Sequence, residues 1–308
     1  MNAGTKSTGI KTIRVKKTRS TGHSRVDGVE ARVFSPHAGY AGQVEEPARP
    51  AWAWQSMLLR VGAGLASTAL LVAVWWVVAV VGNYPDFILP APPVVAAVAW
   101  QMLTGDSPYG SLLLHAWVTM REAGLGFLVA LLVGLTLGYL IAHSHFLERL
   151  ISPYIAVSQG LPVVAIAPLL FIWIGDDLTR KVVIVALIAF FPMLVNTIVG
   201  LRGIDRAMLE VAVISGANLW QTIWYVELPL SMGALLGGTK LGLTLSITGA
   251  VVGEIIAPQF GLGSLLMLGR GTFNTALVFV GLVSLAALTV LVYSAVSLLE
   301  RLLITWQD

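Results

Sequence analysis

Cysteine is absent from this chain, and charge is scarce, at 11% of 308 residues. Without thiols there is no disulfide and no thiolate metal site. A soluble domain carries about 25% charged residues, so this chain cannot cover a surface that faces water. Acids are missing from residues 1–26, which hold seven basic residues. Lys and Arg are missing between Arg60 and Arg121. No Gly-x-x-x-x-Gly-Lys-Ser/Thr phosphate loop occurs, so the chain cannot hydrolyse ATP itself. No His-Glu-x-x-His occurs either, and His143 and His145 stand near a span edge with no further ligand close in sequence. No catalytic residue and no metal ligand set is assigned, which argues against a membrane enzyme.

What remains is 56% hydrophobic, with a mean hydropathy of +0.82. Such a chain is an all-α membrane protein, because helices close their own backbone hydrogen bonds in lipid. About 20 apolar residues cross the hydrocarbon. Six stretches qualify: 57–81, 117–142, 153–174, 182–201, 230–257 and 276–299. A proline-rich turn (Pro85, Pro90, Pro92, Pro93) and a short amphipathic piece at 94–103 follow the first. Residues 1–50 hold nine Lys/Arg against four Asp/Glu and lack apolar periodicity. They read as a disordered basic cytoplasmic tail, with a basic transit peptide as the weaker alternative and no nucleic-acid role. Basic residues favour the cytoplasmic side. By that rule the tail, Arg149, Arg202, Arg206 and Arg301 lie inside, and so both termini are cytoplasmic. Arg180 and Lys181 fall outside, neutralised locally by Asp176 and Asp177, and Arg121 and Glu122 fall at the outer interface.

Between the fourth and fifth spans lies a polar-spotted island, 203–229. Asp205 can cap a helix from 206 to 215. Ile204, Met208 and Val211 make an apolar stripe along it. Gly216 stops it, since the residue past a helix end often needs left-handed angles. Asn218 with Gln221 has capping-box spacing for a second helix. Leu219, Ile223 and Val226 continue an apolar face, and Pro229 suits the first turn of the fifth span. The expectation is helix, sharp turn, helix, span: a lever on the fifth span. A helix lying on the lipid surface fits the same pattern. Glycines four apart (Gly134/Gly138, Gly233/Gly237, Gly238/Gly242, Gly249/Gly253) allow close helix approach and put the fifth span mid-bundle.

Glu210, Ala212, Gly216, Val226, Leu228 and Pro229 stand at the spacing of a known signature. It resembles the coupling loop of permease subunits of bacterial ATP-binding-cassette (ABC) importers; Val211 alone departs, where that family has Ala. Leu161-Pro162, Ala167-Pro168, Leu169, Trp173, Phe191-Pro192, Asn196-Thr197 and Gly200-Leu201-Arg202 are similar to the nitrate, sulfonate and taurine branch. So are Leu89-Pro90-Ala91-Pro92, Gly261-Leu262-Gly263 and Leu299-Glu300-Arg301. The likeness covers 57–306 and departs at Ile174-Gly175-Asp176-Asp177, where the branch has Gly-x-Gly.

The resemblance implies a permease domain over 57–306 in the inner membrane of a bacterium. It implies a second permease copy, as a homodimer, and an ABC ATPase that binds ATP and Mg, this chain holding no cofactor. It also implies an extracytoplasmic solute-binding protein. Met208, Glu210, Val211, Ala212, Gly216, Leu228 and Pro229 would contact or serve the ATPase. The implied solute is small and anionic, of sulfonate, taurine or nitrate type. A vitamin or pyrimidine precursor is the alternative, and a non-transport scaffold the remaining one. Along the solute path, Gln159, Asn196, Lys240, Thr244 and Glu254 are polar candidates. Lys240 would lie near the midplane as a counter-charge or in an internal ion pair. Glu254, too far along the same helix to pair with Lys240, would act across a dimer or at an external gate. Lipid surrounds the whole.

Overall fold

The computed structural model describes residues 52–160 and 162–303, with the backbone alone at 52–61, 65, 156, 158, 159, 301 and 303. The expected tail, 1–50, lies outside the described residues. The chain divides into Met1–Leu59 and Arg60–Asp308. Of the first unit, 52–59 is helical backbone; the second unit carries the helical bundle.

Every regular element among the described residues is helical. Five helices are long and apolar enough to cross a membrane: α1 (Trp52–Val81), α3 (Leu112–His143), α6 (Asp177–Arg202), α9 (Leu228–Ile256) and α11 (Thr275–Leu303). α2 (Pro92–Thr104) starts on paired prolines and ends at Gly105, which has a φ of 86°. The expected third span is divided into α4 (His145–Gly160) and α5 (Val163–Trp173). Pro162 is the reason. Its ring disfavours helical angles in the residue before it, and Pro162 itself is extended at φ −70°, ψ 110°.

α3 and α6 are neighbours that run the same way. Glu122 meets Lys181, and a Cβ on Gly126, Gly134 or Gly138 would press on Val185, Met193 or Thr197. Parallel neighbours require a return crossing. α4 begins where Glu148 pairs with Arg202, and α5 ends where Arg180 reaches the Phe171 carbonyl. The pair therefore carries the chain back, with about 40 Å of helix at 1.5 Å per residue. Among the described residues six passes result, five in unbroken helices.

α9 runs antiparallel to α6 along a ladder of small residues. Gly200 lies on Ala234, Gly238 on Asn196, Gly242 on Met193, Gly249 on Val185 and Gly253 on Lys181. α9 also touches α3, α10 (Leu262–Gly271) and α11, so the fifth pass is central as expected. The C-terminal end of α3 and the start of α9 share one end of the bundle, here the loop end. At the far end, Val95, Met102, Leu112, Leu262, Leu265 and Leu277 form a buried cluster from α2, α3, α10 and α11.

Candidate functional site

The 203–229 segment is built from local signals. Asp205 caps α7 (Arg206–Ile214), its carboxylate accepting the Ala207 N–H at 3.0 Å. Past Ser215, Gly216 takes a φ of 75°. Gly216 N–H donates to the Val213 carbonyl and Ala217 N–H to the Ala212 carbonyl, both at 3.0 Å. These two bonds are the paired closure of a Schellman end. Asn218 and Gln221 then exchange hydrogen bonds at 2.8 and 2.9 Å, the expected capping box, opening α8 (Leu219–Thr222).

The second helix enters the fifth span directly, in keeping with the lever expected, but through a turn of a different helical type. α8 passes through a π-helical turn, Ile223–Glu227, directly into α9. Pro229 has no N–H for the carbonyl four residues back and would crowd it; the Leu228 N–H reaches five back, to Ile223, instead. The residues of the apolar stripe differ in exposure. Ile204 and Ala212 are buried, whereas Met208 and Val211 are 54% and 60% exposed, beside exposed Val213, Ile214, Leu219 and Trp220. Glu210 is exposed. Met208, Val211, Gly216, Tyr225 and Pro229 border a groove of about 620 Å³ between α7 and the π-turn.

The root of this segment is tied to α3. Glu227, 5% exposed, meets His143 Nε2 at 2.9 Å. Tyr139 stacks on that imidazole with ring centroids 4.2 Å apart. At the same end, Arg202 at the close of α6 pairs with Glu148 of α4. Asp176 caps α6, and hydrogen bonds from the Thr179 hydroxyl and N–H lower its pKa.

The far end carries two joined polar centres. Glu122 is buried rather than interfacial: it accepts from Lys181 at 2.9 Å, and Lys181 also meets Asp177 at 3.1 Å. Small α6 and α9 residues let this pair sit inside protein, where each charge has a partner. Glu254, wholly buried on α9, accepts the Thr119 hydroxyl at 2.6 Å and the Gly263 N–H at 2.5 Å. Thr119 Oγ1 accepts the Leu262 N–H at 2.8 Å. His115 Nε2 lies 3.0 Å from the Tyr109 carbonyl, and Nδ1 lies 2.9 Å from the Gly261 carbonyl and 3.1 Å from the Gly261 N–H. Three successive donors at the start of α10 are thus capped by side chains of α3 and α9, where a helix needs them most. Gly261, at φ 127°, leaves no room for a Cβ beside the Glu254 carboxylate.

The other path candidates are placed separately. Lys240 forms an ion pair with Glu300 of α11 beneath Tyr293, the second of the two roles open to it. It lies near mid-height of α9, as expected. Asn196 Nδ2 donates to the Pro192 carbonyl, and Thr244 Oγ1 to the Lys240 carbonyl. The Gln159 side chain lies outside the described residues. His115, Thr119, Lys181, Glu227 and Ser264 gave no sequence signal of a shared role, because their partners come from distant elements.

The described residues thus form a membrane-type helical bundle with a kinked hairpin rooted in its fifth pass. Its fold matches a chain of the MetNI methionine ABC transporter in an inward-facing conformation, with a TM-score of 0.54 at 19% identity, over 66% of this chain and 95% of that one. Residues 130–305 match the family described as binding-protein-dependent transport system inner membrane component. The riboflavin transport system permease protein RibX of Chloroflexus aurantiacus is 47% identical over 79% of this chain and 90% of its own length. The putative aliphatic sulfonates transport permease protein SsuC of Bacillus subtilis is 31% identical over 86% and 92%. The chain belongs to this family: it is an ABC importer permease of the branch that includes the sulfonate permeases, a transport subunit and not an enzyme.

Proposed function

We propose that two copies of this chain form a pore that moves an uncharged vitamin-like solute, such as riboflavin, by alternating access. An ABC ATPase docks on the 203–229 hairpin from the cytoplasm, and ATP and Mg bind to that partner. A solute-binding protein delivers solute at the far end. The unbroken path from α8 through the π-turn into α9 carries this reading. A push on the exposed apolar residues of α7 and α8 reaches the far end through one helix, about 42 Å long in α9 alone at 1.5 Å per residue. Met208 and Val211 supply apolar contact, Glu210 a polar one, and Gly216 the turn. Leu228 and Pro229 set the π register.

Two observations favour a neutral solute. The relative at 47% identity is named for riboflavin transport. Both lysines of the described residues, Lys181 and Lys240, are matched by carboxylates, so neither is a spare counter-charge for an anion. The anionic reading keeps the support of the sulfonate relative at 31%. The test reconstitutes the permease with its ATPase and binding protein and compares ATP-driven uptake of riboflavin and of an aliphatic sulfonate, ethanesulfonate. Riboflavin uptake without ethanesulfonate uptake is expected; the reverse overturns the neutral solute. Cross-linking from Val211→Cys to the ATPase is also expected, and its absence in an active complex removes the docking assignment.

A further inference from the structure

A cavity of about 380 Å³ opens at the far end, between the start of α3, the 258–259 turn and α10. Leu265, Met267 and Leu268 give it apolar walls; Gln259, Ser264 and Thr272 give it polar ones. No Asp, Glu, Lys or Arg lines it. His115 borders it, but both ring nitrogens are engaged by Tyr109 and Gly261.

Ser264 is the unusual member. It is 4% exposed, and its hydroxyl has no hydrogen-bond partner. Helical Ser and Thr normally turn the hydroxyl to the carbonyl four residues back, as Thr244 and Thr272 do. α10 starts only at Leu262, so residue 260 lies before the helix and presents no aligned carbonyl. A buried hydroxyl left in this state is costly unless a guest completes it.

We infer that this cavity is a solute subsite for an uncharged molecule with an apolar ring body, held by a hydrogen bond to Ser264. The volume falls in the range of small-molecule sites, about 300–1,000 Å³. An anion would lose its hydration here with no counter-charge to replace it. The site is mechanically connected. α10 forms one wall, its first donors are held by Glu254 and Thr119, and Glu254 is the far end of α9. Movement of α9 therefore shifts the wall that carries Ser264.

The inference rests on the permease reading above. Its test uses the complete transporter in proteoliposomes, with riboflavin as the probe, and reads KM and maximal rate separately. Ser264→Ala is expected to raise KM about three- to tenfold, the worth of one hydrogen bond, with maximal rate little changed. Ser264→Leu, which fills the cavity, is expected to raise it further. Gln259→Ala, at an exposed position, gives a third readout should the leucine variant fail to assemble. Unchanged KM in Ser264→Ala and Gln259→Ala, with wild-type riboflavin uptake intact, overturns the subsite and leaves the permease role standing. Wild-type transport of ethanesulfonate and not of riboflavin overturns both the solute and this cavity's assignment.

Discussion

Gly216 and Gly261 are both glycines by backbone geometry, for different reasons. At Gly216 a Cβ meets nothing within 4 Å, so only the φ of 75° excludes other residues. Gly216→Val should cost about 1–2 kcal/mol of local strain, deform the turn after α7, and leave insertion intact. The expected result is a folded permease whose partner hydrolyses ATP without uptake; normal uptake would show the turn is dispensable. At Gly261 the φ of 127° coincides with collision against the Glu254 carboxylate. Gly261→Ala should therefore destabilise the protein more than Gly216→Ala, seen as the larger fall in thermal midpoint in detergent. The need for glycine at 216 was legible, because helix ends and their stop signals are local. The partner of Gly261 was not, because Glu254 reaches it by tertiary folding.

Helix pairing turns on where small residues face a neighbour. The four-residue glycine spacing marked α9 as central, yet spacing alone did not separate working glycines from idle ones. A Cβ on Gly249 would stand 2.9 Å from the Val185 Cα, whereas one on Gly237 meets nothing within 4 Å. Gly249→Ala should cost about 1–3 kcal/mol by overpacking; Gly237→Ala should be neutral or stabilising, since alanine is the better helix former. Unfolding titrations in mixed micelles would measure both, and equal effects would contradict the packing. The π-turn before Pro229 was equally hidden. A proline at the start of a span suits a fresh helix, and only continuity with α8 forces the wider register.

Across the bundle, the ion pairs fix which passes belong together. Lys240 and Glu300 join the fifth and sixth passes near the middle of α9, and Lys181 and Glu122 join the fourth and second near the far end. Lys240→Met should leave Glu300 uncompensated. The loss stays below the about 3–5 kcal/mol of a fully buried pair, because these side chains are 19% and 29% exposed. The double change Lys240→Met with Glu300→Met should recover most of that stability and, if the solute is neutral, retain riboflavin uptake. A double variant no more stable than the single one would refute the pairing.

Hydropathy and scarce charge sufficed for an all-helical membrane chain with six apolar stretches, since lipid leaves a backbone few options. Asp205, Gly216 and the Asn218–Gln221 box sufficed for the hairpin, since caps and turns depend on neighbours within a few residues. Folding alone determined that the third pass divides into α4 and α5, that α3 and α6 are direct neighbours, and that Glu254 holds α10 while Lys240 holds Glu300. Those outcomes depend on contacts between residues tens to hundreds of positions apart, and no short-range pattern encodes which buried charge will meet which.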